Sequence, residues 1–288
     1  GSKIINFVRD LAKKSKLKPY DQRSHVGFLR YLALRFGQNT NELMVNIVTS
    51  YEDLDMLVPF VESLVNEFPE ITSVVNNINT RKADVSFGER EILLHGKPII
   101  NEKLKDLTFQ ISANSFFQTN SLMAEKLYDV ILNSANLKGD EIVYDLYCGA
   151  GSISLFLARK AKFVYGFDII VSSIENAEQN AIINNIENID FSVANLDSYF
   201  ERKKSKNLPS PDIVIVDPPR SGMHKKMTEY LPKFRAKKII YVSCNPSTQA
   251  RDAQILKSHA YELKKLTVVD MFPHTPHVET VGVFEKSK

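Results

Sequence analysis

Residues 142–152, IVYDLYCGAGS, decide the fold of this chain. An apolar run of strand length, 142–146, leads into a turn that contains Gly149 and Gly151, and a helical stretch begins at Ser152. A strand that passes through a glycine turn into a helix N-terminus is how α/β folds bring backbone amides close to a nucleotide-like ligand. The stretch therefore predicts a Rossmann-like sheet with a ligand beyond the carboxyl end of this strand.

The same alternation of strands and helices continues on both sides of this stretch. Apolar runs of strand length lie at 142–146, 163–167, 189–193, 213–216, 239–242, 266–270 and 280–284. Helical stretches lie at 121–135, 152–160, 172–184 and 248–258. This alternation is typical of a doubly wound α/β sheet. We predict a seven-stranded, mostly parallel sheet over residues 111–288, closed by an antiparallel hairpin because no helix separates the last two runs.

Residues 1–110 follow another pattern. Two β-rich runs, 29–36 and 43–49, flank a short loop and predict a hairpin. Helical spacing over 51–68 and strand-like sequence over 71–78 follow. We predict a smaller α+β domain here, and we expect a leading helix, residues 3–15, to pack on the larger domain.

Composition excludes several classes of protein. The 288 residues are 43% hydrophobic and 25% charged, which is the balance of a globular protein of about two domains. No apolar run approaches the roughly 20 residues that span a bilayer, and no signal segment opens the chain, so we predict a cytoplasmic protein without membrane contact. Basic clusters at 13–18, 202–206 and 225–226 could contact phosphates or could simply be solvated.

The chain has two cysteines, Cys148 and Cys244. Two thiols are too few for a disulfide framework or for a four-thiolate zinc or iron–sulfur site. Cys148 lies in an apolar segment and is expected to be a small buried hydrophobe. Cys244 follows an apolar strand, at the sheet edge where ligands bind, which makes it the candidate nucleophile.

Carboxylates occupy the same edge of the predicted sheet. Asp168 ends the second strand, 19 residues after Gly149, where it could accept hydrogen bonds from ribose hydroxyls. The turn has no third glycine for a dinucleotide pyrophosphate, which favours S-adenosylmethionine over NAD. A glycine turn that serves packing only stays an alternative. Asp217 ends the fourth strand, before two prolines that fix the direction of the loop.

Two histidines and a glutamate lie near the C-terminus, as His274, His277 and Glu279. A metal site would need a further cluster of ligands, and the sequence offers none that is convincing, so we predict no metal. Glu279 is more useful as a general base.

Five separated motifs, taken together and in order, resemble the RNA uracil-5-methyltransferase family. They are FFQTN at 116–120, DLYCG at 145–149, DPPRSG at 217–222, SCNP at 243–246 and HVE at 277–279. The resemblance runs from about residue 25 to the C-terminus. It implies a class I enzyme that uses S-adenosylmethionine to methylate carbon 5 of a uridine, with 23S ribosomal RNA as the preferred substrate and transfer RNA as the alternative.

The resemblance also implies roles for individual residues. Cys244 would add to carbon 6 of the uracil, and Glu279 would remove the proton from carbon 5. Cofactor-binding positions would be Gln118, Tyr147, Gly149, Ser152, Asp168, Asn195 and Asp217, and substrate-binding positions Phe116, Gln118, Asp217 and Arg220. Asp168 stands where the family often has Glu, and Ser152 where it often has Asn. Both can still form hydrogen bonds to the cofactor.

Relatives of this kind often carry an N-terminal TRAM domain, and some carry an iron–sulfur cluster. The chain opens with Gly1 and Ser2 and contains neither feature, so we expect a piece of a longer, monomeric enzyme in which residues 1–110 help to bind RNA. Three alternatives stay open. They are a cytosine-5-methyltransferase, an amino-group methyltransferase that uses the Asp-Pro-Pro motif, and an RNA-binding or folding factor in which methylation is dispensable.

Overall fold

The computed structural model describes residues 1–82, 88–200 and 208–287. The chain divides into two compact units, Gly1–Ser115 and Phe116–Lys288. The boundary lies five residues beyond the position predicted from the sequence. The basic cluster at 202–206 lies outside the described residues.

The first unit is a small α+β structure. Its elements are α1 (Ser2–Lys14), β1 (Leu29–Phe36), β2 (Leu43–Thr49), α2 (Leu54–Glu67), β3 (Ser73–Ile78), β4 (Arg90–Gly96), β5 (Ile99–Leu104) and β6 (Leu107–Ser112). Strands β1 to β4 form one sheet in that order, with the predicted antiparallel pairing of β1 and β2. Strands β5 and β6 form a separate hairpin.

Helix α1 packs within this first unit. Its buried side chains Ile4 and Val8 are four residues apart and so lie on one face. They join the hydrophobic core that also contains Leu57 and Phe60 of α2. These two side chains thus face α2 of the same unit, a partner that periodicity alone does not identify.

The second unit is the α/β domain. Its elements are α3 (Ser121–Ala135), β7 (Ile142–Leu146), α4 (Ser152–Ala158), β8 (Phe163–Asp168), α5 (Val171–Ile183), β9 (Ile189–Val193), α6 (Leu196–Tyr199), β10 (Ile213–Val216), α7 (Lys225–Tyr230), β11 (Lys238–Ser243), α8 (Pro246–Ser258), β12 (Tyr261–Val269) and β13 (Glu279–Lys286). The seven-stranded sheet has the order β12-β13-β11-β10-β7-β8-β9. Six of its strands run in one direction, and β13, which lies between β11 and β12, runs antiparallel to both, so the predicted mostly parallel fold is confirmed.

The strand order places a ligand crevice between β7 and β10. From β7 the chain proceeds outward through β8 and β9, and it then returns to β10 on the other side of β7. This reversal is the topological switch point at which doubly wound sheets bind ligands, beyond the carboxyl ends of the strands. Because β10 is covered on both faces, its residues Val214, Ile215 and Val216 are fully buried.

No helix among the described residues is long and apolar enough to cross a membrane.

Candidate active site

Strand register brings the predicted site residues to one edge of the sheet. Leu146 at the end of β7 pairs with Phe167 of β8 and with Val216 of β10. The next residues in these three strands are therefore neighbours at the carboxyl edge, and they are Tyr147, Asp168 and Asp217. The amide of Asp217 still donates to the carbonyl of Leu146, at 3.3 Å.

The turn after β7 has an unusual backbone conformation. Tyr147 has a φ of +67°, which is uncommon for a residue with a side chain and is a conformation that recurs at ligand-binding sites. At Gly151, with a φ of +80°, a Cβ atom would lie 2.9 Å from the ring of Phe191, so only glycine fits. At Gly149, with a φ of +53°, a Cβ would meet no atom within 4 Å. The turn is thus tightly packed behind Gly151 and open at Gly149.

Asp168 stabilises this turn through hydrogen bonds and can also accept hydrogen bonds from a ligand. Its two carboxylate oxygens accept hydrogen bonds from the amides of Gly149, at 3.0 Å, and of Ile170, at 2.9 Å. An ionised carboxylate has about four lone-pair sites. Two of these accept no hydrogen bond from the residues that the structure describes, which suits the two hydroxyls of a ribose.

Asp145 carries a further signal that the sequence interpretation missed. It is fully buried within β7, and its Oδ2 accepts a hydrogen bond from the hydroxyl of Ser154. Its Oδ1 has no hydrogen-bond partner among the described residues. Burial, with a smaller contribution from nearby Asp168, raises the pKa of Asp145 to about 7. A buried acceptor without a donor is costly, so the residues present fit a cofactor with a cationic amino group at this point.

A cleft of about 720 Å³ lies at the same edge of the sheet. Tyr147 and Asn195, both predicted from the sequence, line it together with Ile169. Asn195 caps α6, with its Oδ1 accepting from the amide of Asp197 at 3.2 Å. Burial and nearby carboxylates, of which Asp197 is the foremost, raise the pKa of Tyr147, so its hydroxyl stays protonated and can donate a hydrogen bond.

Part of the cleft wall comes from residues to which the sequence assigned no role. His224 and Arg251 line the cleft, and His224 Nδ1 lies 3.4 Å from Asp197 Oδ1. These residues reach the cleft from the loop after β10 and from α8. Their positions depend on how those two segments pack together, for which the local sequence pattern carries no signal.

The candidate nucleophile and base lie at the ends of adjacent strands. Strand β11 ends at Ser243, which pairs with Thr280 of antiparallel β13. Cys244 and Glu279 are the next residues beyond this last pair. Directly opposed residues in such a ladder have Cβ atoms about 5 Å apart. The register therefore brings together two residues that are 35 positions apart in the chain.

The charged groups that act on the Cys244 thiol agree with this proximity. Partial burial and then the nearby carboxyls of Glu279 and Asp217 raise the pKa of the Cys244 thiol, and the guanidinium of Arg220 acts in the opposite direction. The thiol is half-buried. Cys148 is buried, and burial raises its pKa well above the usual value. Of the two thiols, Cys244 is the one that lies among polar groups and within reach of solvent.

The two carboxyls near Cys244 differ in their readiness to ionise. Burial raises the pKa of Glu279 to about 7. Burial, with the charges of Glu279 and Asp145 added, raises the pKa of Asp217 well above its usual range. Two carboxylates in one buried site do not both ionise easily. Glu279 can therefore accept a proton near neutral pH, whereas the charge of Glu279 adds to burial in disfavouring the ionised form of Asp217.

The remaining predicted positions lie in the same unit. Phe116 is 73% exposed, and Gln118 follows it in the segment that leads to α3. Asn120 fastens this segment, because its Nδ2 donates to the carbonyl of Met271 at 2.9 Å. Ser152 shares a side-chain hydrogen bond with Tyr128, a residue that the sequence did not suggest. Among residues 1–82, 88–200 and 208–287, no three His, Cys, Asp or Glu side chains are grouped so as to hold a metal ion.

Known proteins share this sequence and architecture. The family model of tRNA (uracil-5-)-methyltransferases matches residues 85–288. The chain belongs to this family. An uncharacterized RNA methyltransferase of Oceanobacillus iheyensis is 41% identical to this family member over 281 residues, which are 98% of the chain and 61% of the relative. A similar protein of Chlorobaculum tepidum is 40% identical over 289 residues, which cover 100% of the chain and 60% of that relative.

One solved structure is similar over nearly the whole of this family member. It is the tRNA (uracil-54, C5)-methyltransferase of Pyrococcus abyssi in complex with S-adenosyl-L-homocysteine. The identity is 36%, the TM-score is 0.78, and the match covers 97% of this chain and 66% of the other. The chain thus spans about three fifths of the length of the curated relatives that it matches.

Proposed function

We propose that this protein methylates carbon 5 of a uridine in RNA through a transient covalent bond between Cys244 and the uracil ring. One observation carries the proposal. The register of β11 and β13 makes Cys244 and Glu279 the first residues beyond the pair Ser243–Thr280, with Asp217 close enough to affect the thiol. Thiol addition and proton removal need a nucleophile and a base on the same ring, and this arrangement supports both.

Each residue acts on a defined atom of the base. The Cys244 thiolate forms a bond to carbon 6, which breaks the double bond to carbon 5 and makes carbon 5 nucleophilic. After carbon 5 has gained the methyl group, Glu279 removes its proton. The double bond then re-forms and the bond from carbon 6 to sulfur breaks, so Cys244 is released. A stacked base is not accessible to such a site, so we expect the uridine to lie in a loop or to be flipped out.

The cofactor site is the crevice beyond β7 and β8. S-adenosylmethionine, when bound, supplies the methyl group from its sulfonium sulfur. We assign Asp168 to the ribose hydroxyls, Tyr147 and Asn195 to the cleft wall, and Gly149 to the open side of the turn. The solved relative from Pyrococcus abyssi, which holds S-adenosyl-L-homocysteine, supports the choice of cofactor.

Adduct release should depend on pH. Only the ionised carboxylate of Glu279 accepts a proton, and the pKa of Glu279 is raised to about 7. The rate of release should therefore rise as pH increases to about 7 and level off above it, with a fall of about tenfold per pH unit on the acidic side. Rapid quenching of a preformed RNA adduct across this range measures the rate. A rate that does not change between about pH 6 and about pH 8 would exclude Glu279 as the base.

Asp145→Asn should lower the affinity for the cofactor and raise the stability of the protein. The variant keeps an acceptor for Ser154 but loses the charge, so the affinity for S-adenosylmethionine should fall by about 10- to 100-fold in calorimetry. In the parent the ionised form of this carboxyl lowers the stability of the folded state, because burial raises its pKa from 3.8 to about 7. The free energy of unfolding of the variant should therefore exceed that of the parent by an amount that grows from about pH 4 to about pH 7 and is constant above.

The matched control for this change is Asp140→Asn, just before β7, because Asp140 is exposed. It should alter neither cofactor affinity nor the free energy of unfolding. If Asp145→Asn bound the cofactor as tightly as the parent, the unpaired Oδ1 would not be part of the cofactor site.

The RNA substrate has two candidates. The sequence interpretation preferred 23S ribosomal RNA. A specific observation favours transfer RNA, because the solved relative with 36% identity is a tRNA (uracil-54, C5)-methyltransferase. In either case we assign residues 1–110 to RNA binding, supported by the exposed lysines 13, 14, 16 and 18. The monomeric state and the cytoplasmic location stay predictions.

A methylation assay tests the proposal. Purified protein is incubated with S-adenosylmethionine carrying a labelled methyl group and with unmodified transcripts of transfer RNA or 23S ribosomal RNA. Nucleoside analysis should show label in 5-methyluridine from one of the two. Label in 5-methylcytidine or in a methylated amino group would instead support one of the alternative enzymes. RNA binding without any label in either transcript would favour a binding factor.

A further inference from the structure

Helix α8 has a polar face that is largely buried. The face consists of the cap residue Asn245 and of Gln249 and Asp252, which follow at four and seven residues and so lie along one stripe. Gln249 is 5% exposed and Asp252 is 1% exposed. A helix on a sheet usually buries apolar side chains, and buried polar groups cost free energy unless they find partners. The partners of this stripe therefore indicate its role.

Asn245 and Asp252 bind the loop after β10. The Nδ2 of Asn245 donates to the carbonyl of Arg220 at 3.1 Å. The Oδ2 of Asp252 accepts from the amide of Met223, at 3.1 Å, and from the hydroxyl of Tyr241, at 2.7 Å. These bonds fix the backbone of the loop that carries Arg220, one of the groups that affect the Cys244 thiol.

Gln249 joins the two strands that end at the nucleophile and the base. Its Nε2 donates to the carbonyl of Tyr241 in β11 at 2.8 Å. Its Oε1 lies 2.9 Å from the hydroxyl of Thr280 in β13, and this hydroxyl is also 3.2 Å from the carbonyl of Ser243. The hydroxyl has one proton, so it donates to one of these acceptors at a time. Both side chains, Gln249 and Thr280, are buried.

The position of this contact matters because the strand ladder ends there. Ser243 and Thr280 form the last pair of β11 and β13. Cys244 and Glu279 lie beyond it, so no ladder hydrogen bond between these two strands fixes their separation. Thr280 directly follows Glu279 in the sequence. Its side chain makes the last hydrogen bond from β13 to β11, the strand that leads to Cys244.

We propose that Gln249 and Thr280 are positioning residues that hold the Glu279 carboxylate at the distance required to remove the proton from carbon 5. This inference rests on the proposed function. Proton transfer is sensitive to distance, and a displacement of about 1 Å costs about 100-fold in rate. Loss of the hydrogen bond between Gln249 and Thr280 slows adduct release. It leaves the earlier addition of Cys244 to carbon 6 intact, because the addition does not use Glu279.

The test separates the two steps. Gln249→Met and Thr280→Val retain the size of the side chains and remove the hydrogen bond. In single-turnover reactions with natural RNA, release of the methylated adduct should slow by about 10- to 100-fold in both variants. Adduct formation and the affinity for S-adenosylmethionine should stay within about twofold of the parent. The variant that carries both substitutions should release the adduct no more slowly than the slower of the two single variants, because the two residues share one hydrogen bond.

Two variants show whether the effect is specific. Thr280→Ser retains the hydroxyl and should release the adduct at the rate of the parent. Thr267→Val makes the same chemical change on the neighbouring strand β12, at a half-buried position, and should have no effect. Slow release in Thr280→Ser as well would mean that packing rather than the hydrogen bond is responsible.

Other outcomes overturn the inference in distinguishable ways. If the parent forms and releases the adduct but the variants slow both steps equally, or neither, the positioning role fails while the proposed function survives. If the parent forms no adduct with an RNA that it methylates, the covalent mechanism fails and the positioning role fails with it.

Discussion

Cys244→Ser should abolish methylation. Serine retains the shape of the side chain, but its hydroxyl ionises far too weakly to add to carbon 6. Loss of a nucleophile costs on the order of 10⁴-fold or more in rate, so label in 5-methyluridine should fall to background. Since Cys244 follows β11 and does not line the cleft, the affinity for S-adenosylmethionine should stay at the value of the parent in calorimetry.

The control for this variant is the other cysteine. Cys148 is buried behind the glycine turn, and Cys148→Ala should retain methylation, with a modest loss of stability from the small cavity. Residual turnover of Cys244→Ser above about one per cent of the parent would show that carbon 5 is methylated without this thiol.

Glu279→Gln should convert the enzyme into one that traps its substrate. Without a base, the methylated adduct loses its proton slowly, and turnover should fall by about 10²- to 10⁴-fold. Cys244 can still add, and more readily, because the charge of Glu279 is one of the causes that raise the thiol's pKa. A denaturing gel with natural RNA should therefore show a protein–RNA conjugate that the parent resolves within the same time.

Glu285→Gln on the same strand serves as the matched control for this change, and it should turn over like the parent. Rapid and complete turnover of Glu279→Gln would assign proton removal to another group. Asp217 would be the next candidate, although burial and the charge of Glu279 raise its pKa well above the usual range.

The sequence predicted the catalytic unit well where strands are buried. Strands β7, β9 and β10 have the predicted bounds. Of these, β10 is covered on both faces and is therefore a continuous apolar run. Strand β12 begins at Tyr261, five residues before its predicted start at 266. It lies at the edge of the sheet, and its exposed Lys264 and Lys265 interrupt the apolar run. Edge strands often carry such charges, which limit pairing with other chains.

The residues of the candidate site likewise divide into those that the sequence predicts and those that only the structure identifies. Asp168 and Asp217 could be predicted from the strand pattern, because parallel strands deliver their carboxyl ends to one edge, whereas Tyr147 was implied only by the family resemblance. Gln249 and Asp252 could not, because a polar residue on an isolated helix is expected to face solvent. Only the packing of α8 against β11 and the loop after β10 shows that both side chains are buried and bonded.

A trapped adduct tests the central claim most directly. The protein is incubated with S-adenosylmethionine and RNA in which 5-fluorouridine replaces uridine, and the product is digested and analysed by mass spectrometry. Fluorine at carbon 5 cannot be removed as a proton, so the adduct persists. The account predicts a methylated nucleotide on the peptide that contains Cys244, present in Cys148→Ala and absent in Cys244→Ser. A conjugate at Cys148, or no conjugate with an RNA whose natural form is methylated, would contradict it.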